Sequence, residues 1–169
     1  MREPPDLHVR RASPSDAAVV AAIYNEGIAD RVATFETRPR TADEARAWIG
    51  GRLPCVVAVR EGAVAGFARV GPYSDREAYA GVGEHGVYVA RTARGEGIGR
   101  LLLDEVCHAA EAAGLHKLTS RIFSDNAASV AAHEAAGFVV VGVQRRHGRL
   151  DGEWRDCVVV ERLLGDAAR

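Results

Sequence analysis

The chain has only three cysteines, Cys55, Cys107 and Cys157, far apart and without CxxC spacing. That argues against a disulfide framework and a zinc site, and predicts three buried or half-buried thiols in a reducing compartment. No charge of one sign dominates: 22 Lys and Arg stand against 23 Asp and Glu, a formal net charge of −1. A broad basic face for nucleic acid or for an anionic membrane is therefore not expected. No stretch approaches the roughly 20 apolar residues needed to span a bilayer. The segment Met1–Arg11 lacks the apolar run of a signal peptide, so a cytoplasmic location is expected. His85, His108, His116, His133 and His147 show no ligand spacing, and no metal is expected. Internal repeats, low-complexity segments and a second domain are also missing.

What is present is an ordinary globular balance, 47% hydrophobic and 27% charged over 169 residues. It suits one domain, residues 1–169, with a core from about residue 7 to residue 164. A short strand at 7–10 precedes Ser13-Pro14-Ser15-Asp16, a helix start with a capping hydroxyl and proline at the first helical position. Val19, Val20, Ile23 and Tyr24 form one helical face. Residues 31–40 read as a loop. Thr41-Ala42-Asp43-Glu44 is a capping box that opens a second helix. A hairpin follows, 55–60 and 64–70 about Glu61-Gly62, then a polar aromatic loop, Gly71–Tyr79. A strand at 85–90 runs into a glycine-rich turn and a helix carrying Ile98, Leu101, Leu102, Val106 and Ala109. Strand 117–123, a short helix from Asn126 to Ala136 and strands 138–143 and 157–163 complete the chain, with Asp151-Gly152 as a hairpin turn. Beyond Leu164 the chain is expected to fray. The order βααβββαβαββ predicts an α/β protein with a mixed sheet covered by helices on both faces.

The most informative segment is Val87-Tyr88-Val89-Ala90-Arg91-Thr92-Ala93-Arg94-Gly95-Glu96-Gly97-Ile98-Gly99-Arg100. A strand ends, a tight turn follows and an amphipathic helix begins. The first N–H groups of a helix have no internal partner, and the helix dipole adds partial positive charge there. The result is an anion site suited to a pyrophosphate, which glycine lets approach closely. Arg94 and Arg100 add charge at its rim. The GxxxxGK[ST] pattern of a Walker loop is absent, and the turn lies too late in the chain for a dinucleotide fold. The competing structural reading is a glycine turn that only lets the helix pack on the sheet.

Arg94-x-x-Gly97-x-Gly99 resembles the acyl-CoA pyrophosphate motif of the GNAT superfamily of N-acetyltransferases. Asn126-Ala127-Ala128-Ser129, followed by His133-Glu134-Ala135-Ala136-Gly137-Phe138, resembles a second signature of that family, and the element order agrees. Segments 34–41, 71–79, 84–89 and 148–156 are similar to the phosphinothricin acetyltransferase branch. Tyr79–Glu84 and Trp154-Arg155-Asp156 further resemble the arsinothricin-resistance N-acetyltransferases within it. The resemblance implies a GNAT-like acyl-CoA N-acyltransferase fold, acetyl-CoA as donor and a homodimer. It implies as acceptor the α-amine of a glutamate analogue such as arsinothricin or phosphinothricin.

Acetyl transfer to an amine needs a base, a held carbonyl, donors for the oxyanion and a proton for the departing sulfur. Glu84 is the candidate base, a carboxylate expected to be partly buried among apolar neighbours just before the cofactor strand; the alternative is a surface carboxylate at a strand edge. His133 is the candidate second proton carrier, at a position where many GNAT enzymes have tyrosine; the alternative is a helix histidine that only packs. Val87, Tyr88 and Val89 are expected to act through backbone, as an open strand edge for the pantetheine arm. Gly95, Glu96, Gly97, Ile98, Gly99 and Arg100 would cradle the pyrophosphate. Asn126, with Ser129, is a candidate for the pantetheine arm, and asparagine is equally a helix cap. For the acceptor the candidates are Phe35, Thr37, Tyr73, Arg76 and Tyr79, all on irregular segments. Arg76 is the best placed to fork onto an anionic group, and Arg38, Arg145, Arg146 and Arg149 are further candidates. His147 and Trp154 are read as the dimer-side wall of the site or as a closed hairpin. The aromatic 71–79 loop suggests a closed small-molecule pocket. Two other functions compete: an acetyltransferase for methionine sulfoximine, another small amine or a protein N-terminus, and a non-catalytic acyl-CoA-binding module.

Overall fold

The computed structural model describes residues 6–169; of the segment read above for a leader, residues 1–5 lie outside the described residues. The elements are β1 (Leu7–Arg11), α1 (Ala17–Asp30), α2 (Ala42–Ile49), β2 (Cys55–Arg60), β3 (Ala63–Pro72), β4 (Val82–Val89), α3 (Ile98–Ala112), β5 (Lys117–Phe123), α4 (Ala127–Ala135), β6 (Val139–Leu150) and β7 (Glu153–Leu163). This is the expected order. One sheet runs β1-β2-β3-β4-β5-β7-β6, antiparallel except between β4 and β5.

Local chemistry accounts for the element starts. The Asp16 carboxylate accepts the Ser13 N–H at 2.8 Å and a forked pair from Arg10 at 2.7 and 3.0 Å, closing the 3-10 turn Pro14–Asp16 that leads into α1. The Glu44 N–H donates to Thr41 Oγ1 at 3.2 Å, and the Thr41 N–H donates to Glu44 Oε2 at 2.8 Å. That reciprocal pair satisfies two donors the helix leaves over. Asp151 and Gly152 both have positive φ, 50° and 81°, as a two-residue hairpin turn of this hand requires.

The central strands are buried on both faces, so alternate residues feed two cores. Cys55, Val57, Val59 and Phe67 pack under α1 and α2 with Val20, Ile23 and Tyr24. Val56, Ala58, Ala68 and Val70 pack on the other side with Ile98, Leu102, Leu103 and Val106 of α3. Full burial of each such leucine or valine stabilises the fold by about 1.5–3 kcal/mol. All three cysteines are free and buried.

Four boundaries depart from expectation. β4 begins at Val82, so Glu84 lies inside the strand, opposite Gly71 on β3 and Thr119 on β5. β6 and β7 extend to the turn on both sides. The run Arg145-Arg146-His147-Gly148 lies beyond the strand expected at 138–143 because β6 is an edge strand, much of it exposed on both faces, and its pairing is irregular between Gln144 and Gly148. The segment after Leu164 is ordered as a 3-10 turn, Gly165–Ala168. Leu164 anchors it, buried and donating its N–H to the His116 carbonyl at 2.8 Å.

Candidate active site

β4 and β5 pair only from Val82↔Lys117 to Glu84↔Thr119 and then part. Each keeps its outer neighbour: β3 follows β4 to Val89, and β7 follows β5 to Phe123. The sheet therefore opens into a notch without losing a strand. The Ser120 hydroxyl closes its apex by donating to the His85 carbonyl at 2.9 Å. On the β5 side, Gly86–Val89 has no strand partner, an edge that an extended amide-bearing chain can join. A cavity of about 1000 Å3 fills the notch and reaches both faces of the sheet.

The turn before α3 forms the mouth of this cavity. Gly95 and Gly97 take φ of +80° and +81°, and a Cβ on either would meet nothing within 4 Å. Their need for glycine is thus conformational. The Leu101 N–H is the first to return to the helix ladder, donating to the Gly97 carbonyl at 3.4 Å. The N–H groups of Ile98, Gly99 and Arg100 lack helix partners and line the cavity mouth together with open space, which fits a diphosphate. From Glu84 to Val89 the strand rises about 17 Å, the span between the apex and this mouth. Arg100 stands at the rim. Arg94 is turned back instead, donating to Asp30 at 2.8 Å and to the Val89 carbonyl at 3.2 Å. Arg91 forks onto the same carboxylate, and hydrogen bonds first from Arg91 and then from Arg94 hold Asp30 down to about 2. Glu96 faces away and pairs with Arg60.

At the apex the two faces differ in chemistry. On the α1 and α2 side stand Glu84 and, two residues beyond its partner Thr119, Arg121, whose guanidinium lies 3.4 Å from the carboxylate. Glu84 is 42% exposed, so the apolar surroundings expected for it are replaced by a cation and open cavity. Phe35, from the 31–40 loop, packs edge-on to Phe123 at 4.8 Å and against Gly148, forming a wall with His147. Tyr88 points to this side but is spent on packing, stacked on Phe67 at 5.0 Å and against Tyr24; burial raises its phenol well above the ordinary range.

On the α4 side stand His85 and His133, both buried, with Nε2 atoms 3.0 Å apart. Nδ1 of His133 lies 2.7 Å from the Ser129 carbonyl and 3.5 Å from its hydroxyl. Burial holds both imidazoles below their ordinary value, and for His85 the His133 ring adds to the effect. Asn126 caps α4, accepting the Ser129 N–H at 3.2 Å, and its amide donates to the Val32 carbonyl at 3.1 Å. Its side chain thus ties the 31–40 loop to the helix start.

The structure brings Glu84, His133, Val87, Tyr88, Val89, Arg94, Gly95, Gly97, Ile98, Gly99, Arg100, Asn126, Ser129 and Phe35 to one cavity. Thr37, Tyr73, Arg76 and Tyr79 are exposed and lie off its walls; Tyr73 and Tyr79 pack on each other at 5.8 Å. The 71–79 loop is therefore not a lid on this cavity within one chain. Arg121, His85 and Ser120 went unassigned in the sequence. Alternation along β5 pairs Arg121 with Thr119 and Phe123, but the register that sets it beside Glu84 comes from a parallel pairing no local pattern encodes. No group of His, Cys, Asp or Glu able to hold a metal occurs among the described residues.

The profile of the Acetyltransferase (GNAT) family matches residues 20–138. The chain is 35% identical over 156 residues to the phosphinothricin N-acetyltransferase of Streptomyces viridochromogenes, covering 89% of this chain and 84% of that protein. It is 33% identical over 158 residues to the L-methionine sulfoximine/L-methionine sulfone acetyltransferase of Pseudomonas paraeruginosa, covering 90% and 92%. The structure of yncA from Salmonella typhimurium with its cofactor acetyl-CoA superposes with a TM-score of 0.90 at 30% identity, covering 95% of each chain. A notched mixed sheet, a glycine cradle at its mouth and these matches make the chain a member of the GNAT family, an acetyl-CoA-dependent N-acetyltransferase close to the phosphinothricin and methionine sulfoximine acetyltransferases.

Proposed function

We propose that this enzyme acetylates the α-amine of a glutamate-analogue amino acid bearing a tetrahedral acid group, such as arsinothricin or phosphinothricin, and so confers resistance to it. The observation that carries the reading is the Glu84–Arg121 pair at the notch apex: a proton acceptor and an anchor for an anionic group within 3.4 Å of each other. An amino acid brings an ammonium and a carboxylate to such a pair. Arginine suits planar and tetrahedral oxyanions alike. The names of the relatives support the same acceptor class.

Bound acetyl-CoA supplies the thioester carbonyl that the amine nitrogen attacks, and the carbon–sulfur bond breaks to release the thiol. Glu84 takes the proton of the ammonium, directly or through one water, and frees the nitrogen lone pair. The unpaired edge of Gly86–Val89 aligns the pantetheine amides and offers an N–H to the carbonyl oxygen. The α3 cradle holds the diphosphate. His133, across the notch from Glu84, is the second proton carrier. Phe35 walls the acceptor end; Thr37, Tyr73, Arg76 and Tyr79 are second-rank acceptor candidates, since they lie off the cavity walls of a single chain. One domain carries all of these parts.

The working form is a homodimer in the cytoplasm. Val139, Val141 and Val143 on the edge strand β6 are all more than half exposed, apolar side chains that an edge strand is normally spared. The function is tested by release of CoA on phosphinothricin, arsinothricin, methionine sulfoximine and a panel of peptide N-termini, with Glu84→Gln as control. The expected result is turnover of the free amino acids and a loss of about 10²–10⁴ in kcat for the variant. Faster acetylation of peptides, or a variant at wild-type rate, overturns the reading.

A further inference from the structure

The buried imidazole of His85 has no part in the chemistry above, and its Nδ1 is the one buried side-chain polar atom without a hydrogen-bond partner among the described residues. Its surroundings allow the protons to be placed. A carbonyl only accepts, so the 2.7 Å contact between His133 Nδ1 and the Ser129 carbonyl puts a proton on that Nδ1. Neutral His133 then has a bare Nε2. The 3.0 Å Nε2–Nε2 contact needs one proton, which must come from His85. His85 is left with a bare Nδ1, the unpartnered atom. The two contacts of His133 thus place two protons over four nitrogens, and the Thr119 backbone beside the His85 ring does not reach hydrogen-bond geometry with Nδ1.

We propose that His85 is a positioning residue for His133: its buried Nε2–H, given to His133 Nε2, locks that ring as the Nδ1–H form, with the proton on the Ser129 side of the cavity. The inference rests on the reading of His133 as a proton carrier. Ser129 lines the cavity, so the locked form holds its proton at the cavity-lining turn of α4, on the Ser129 carbonyl with the hydroxyl 3.5 Å away. Phe138 packs on both rings at 4.9 and 5.1 Å and keeps them from swinging apart. The groups facing the pair are Ser129 on α4, the Thr119 backbone and Ser120 on β5, and Phe138; no carboxylate or guanidinium acts on either ring. Glu84 precedes His85 but points to the opposite face of β4, and Glu134 on α4 is exposed. Arg162 on β7 spends its guanidinium on the Ala136 carbonyl at 2.7 Å. A donor at Nε2 favours neutral His133 over its cation, since the cation needs that nitrogen for its own proton.

The test is nitrogen-15 spectroscopy of histidine-labelled enzyme, with pH profiles of kcat for His85→Phe and His85→Gln. Phenylalanine keeps the packing on Phe138 and removes the donor; glutamine restores an N–H. The expected wild-type spectrum shows His133 protonated at Nδ1 and bare at Nε2. In His85→Phe the ring samples the Nε2–H form, and the acid limb of kcat moves to higher pH with the KM for acetyl-CoA unchanged. His85→Gln returns both to wild type. A wild-type His133 protonated at Nε2 overturns the proposal without any variant, so a misfolded His85→Phe leaves the test standing. An unmoved ring signal and acid limb in folded His85→Phe also overturn it. A His133→Ala enzyme at full kcat refutes the proton-carrier reading instead, while the spectrum still decides what His85 does to the ring.

Discussion

Gly97→Ala isolates the cradle from the rest of the fold. Gly97 is the N-cap of α3 with φ +81° and ψ 5°, and an added methyl meets no atom within 4 Å. The cost is therefore conformational, about 1–2 kcal/mol for an L residue in the left-handed region. In a chain of this size that lowers Tm by roughly 2–8 °C. The chain escapes the strain by rotating the peptide that carries the Ile98 N–H, one of the three unpartnered donors at the cavity mouth proposed to hold the diphosphate. Losing one hydrogen bond to a charged group costs about 1.5–3 kcal/mol, which is roughly a 10- to 150-fold rise in Kd. Calorimetric titration with CoA measures this, and pantetheine, which lacks the diphosphate, serves as the control ligand and is expected to bind unchanged. Gly142→Ala controls for the added methyl: it too has open space within 4 Å but no positive φ, so neither Tm nor affinity moves. A Gly97→Ala enzyme that binds CoA within twofold of wild type would refute the cradle.

Acid destabilisation should track the buried histidine pair. Both imidazoles are held below their ordinary value, chiefly by burial, so below about pH 6.5 the unfolded chain binds more protons than the folded one. Their contribution is full above that pH and is lost as pH falls toward the folded values, at up to about 1.4 kcal/mol per pH unit for each ring. Urea unfolding from pH 7 to pH 5 is expected to show this slope in wild type and to lack it in a His85→Phe/His133→Phe double variant; equal slopes contradict it. At the acceptor end, a Cβ on Gly148 would sit 2.8 Å from the Phe35 ring. Gly148→Ala is expected to push Phe35 off Phe123, to cost about 1–3 kcal/mol and to raise the KM for the acceptor but not for acetyl-CoA. An unchanged acceptor KM counts against Phe35 as the wall of that end.

Local patterns were enough for most of the architecture, because the determinants are themselves local. The Thr41–Glu44 box, the Asp151-Gly152 turn and the Gly95–Gly99 segment each involve residues within four positions of one another, and all formed as read. The cradle is legible for the same reason: a strand end, two glycines of positive φ and a helix start are contiguous in the chain. Edge strand β6 was cut short because a strand exposed on both faces has no alternation to display.

The apex of the notch is a different kind of feature. Glu84 and Arg121 are 37 positions apart, and His85 and His133 are 48 apart. Nothing in either neighbourhood announces a partner. Their meeting depends on β4 and β5 pairing in one parallel register and then separating, which the outer strands β3 and β7 impose. Composition and periodicity thus settled the order of elements and the glycine turn that opens α3, because short-range hydrogen bonding and backbone sterics suffice for both. Which carboxylate faces which guanidinium, and which histidine meets His133, was decided by long-range strand pairing and burial, since these contacts exist only once distant segments are packed together.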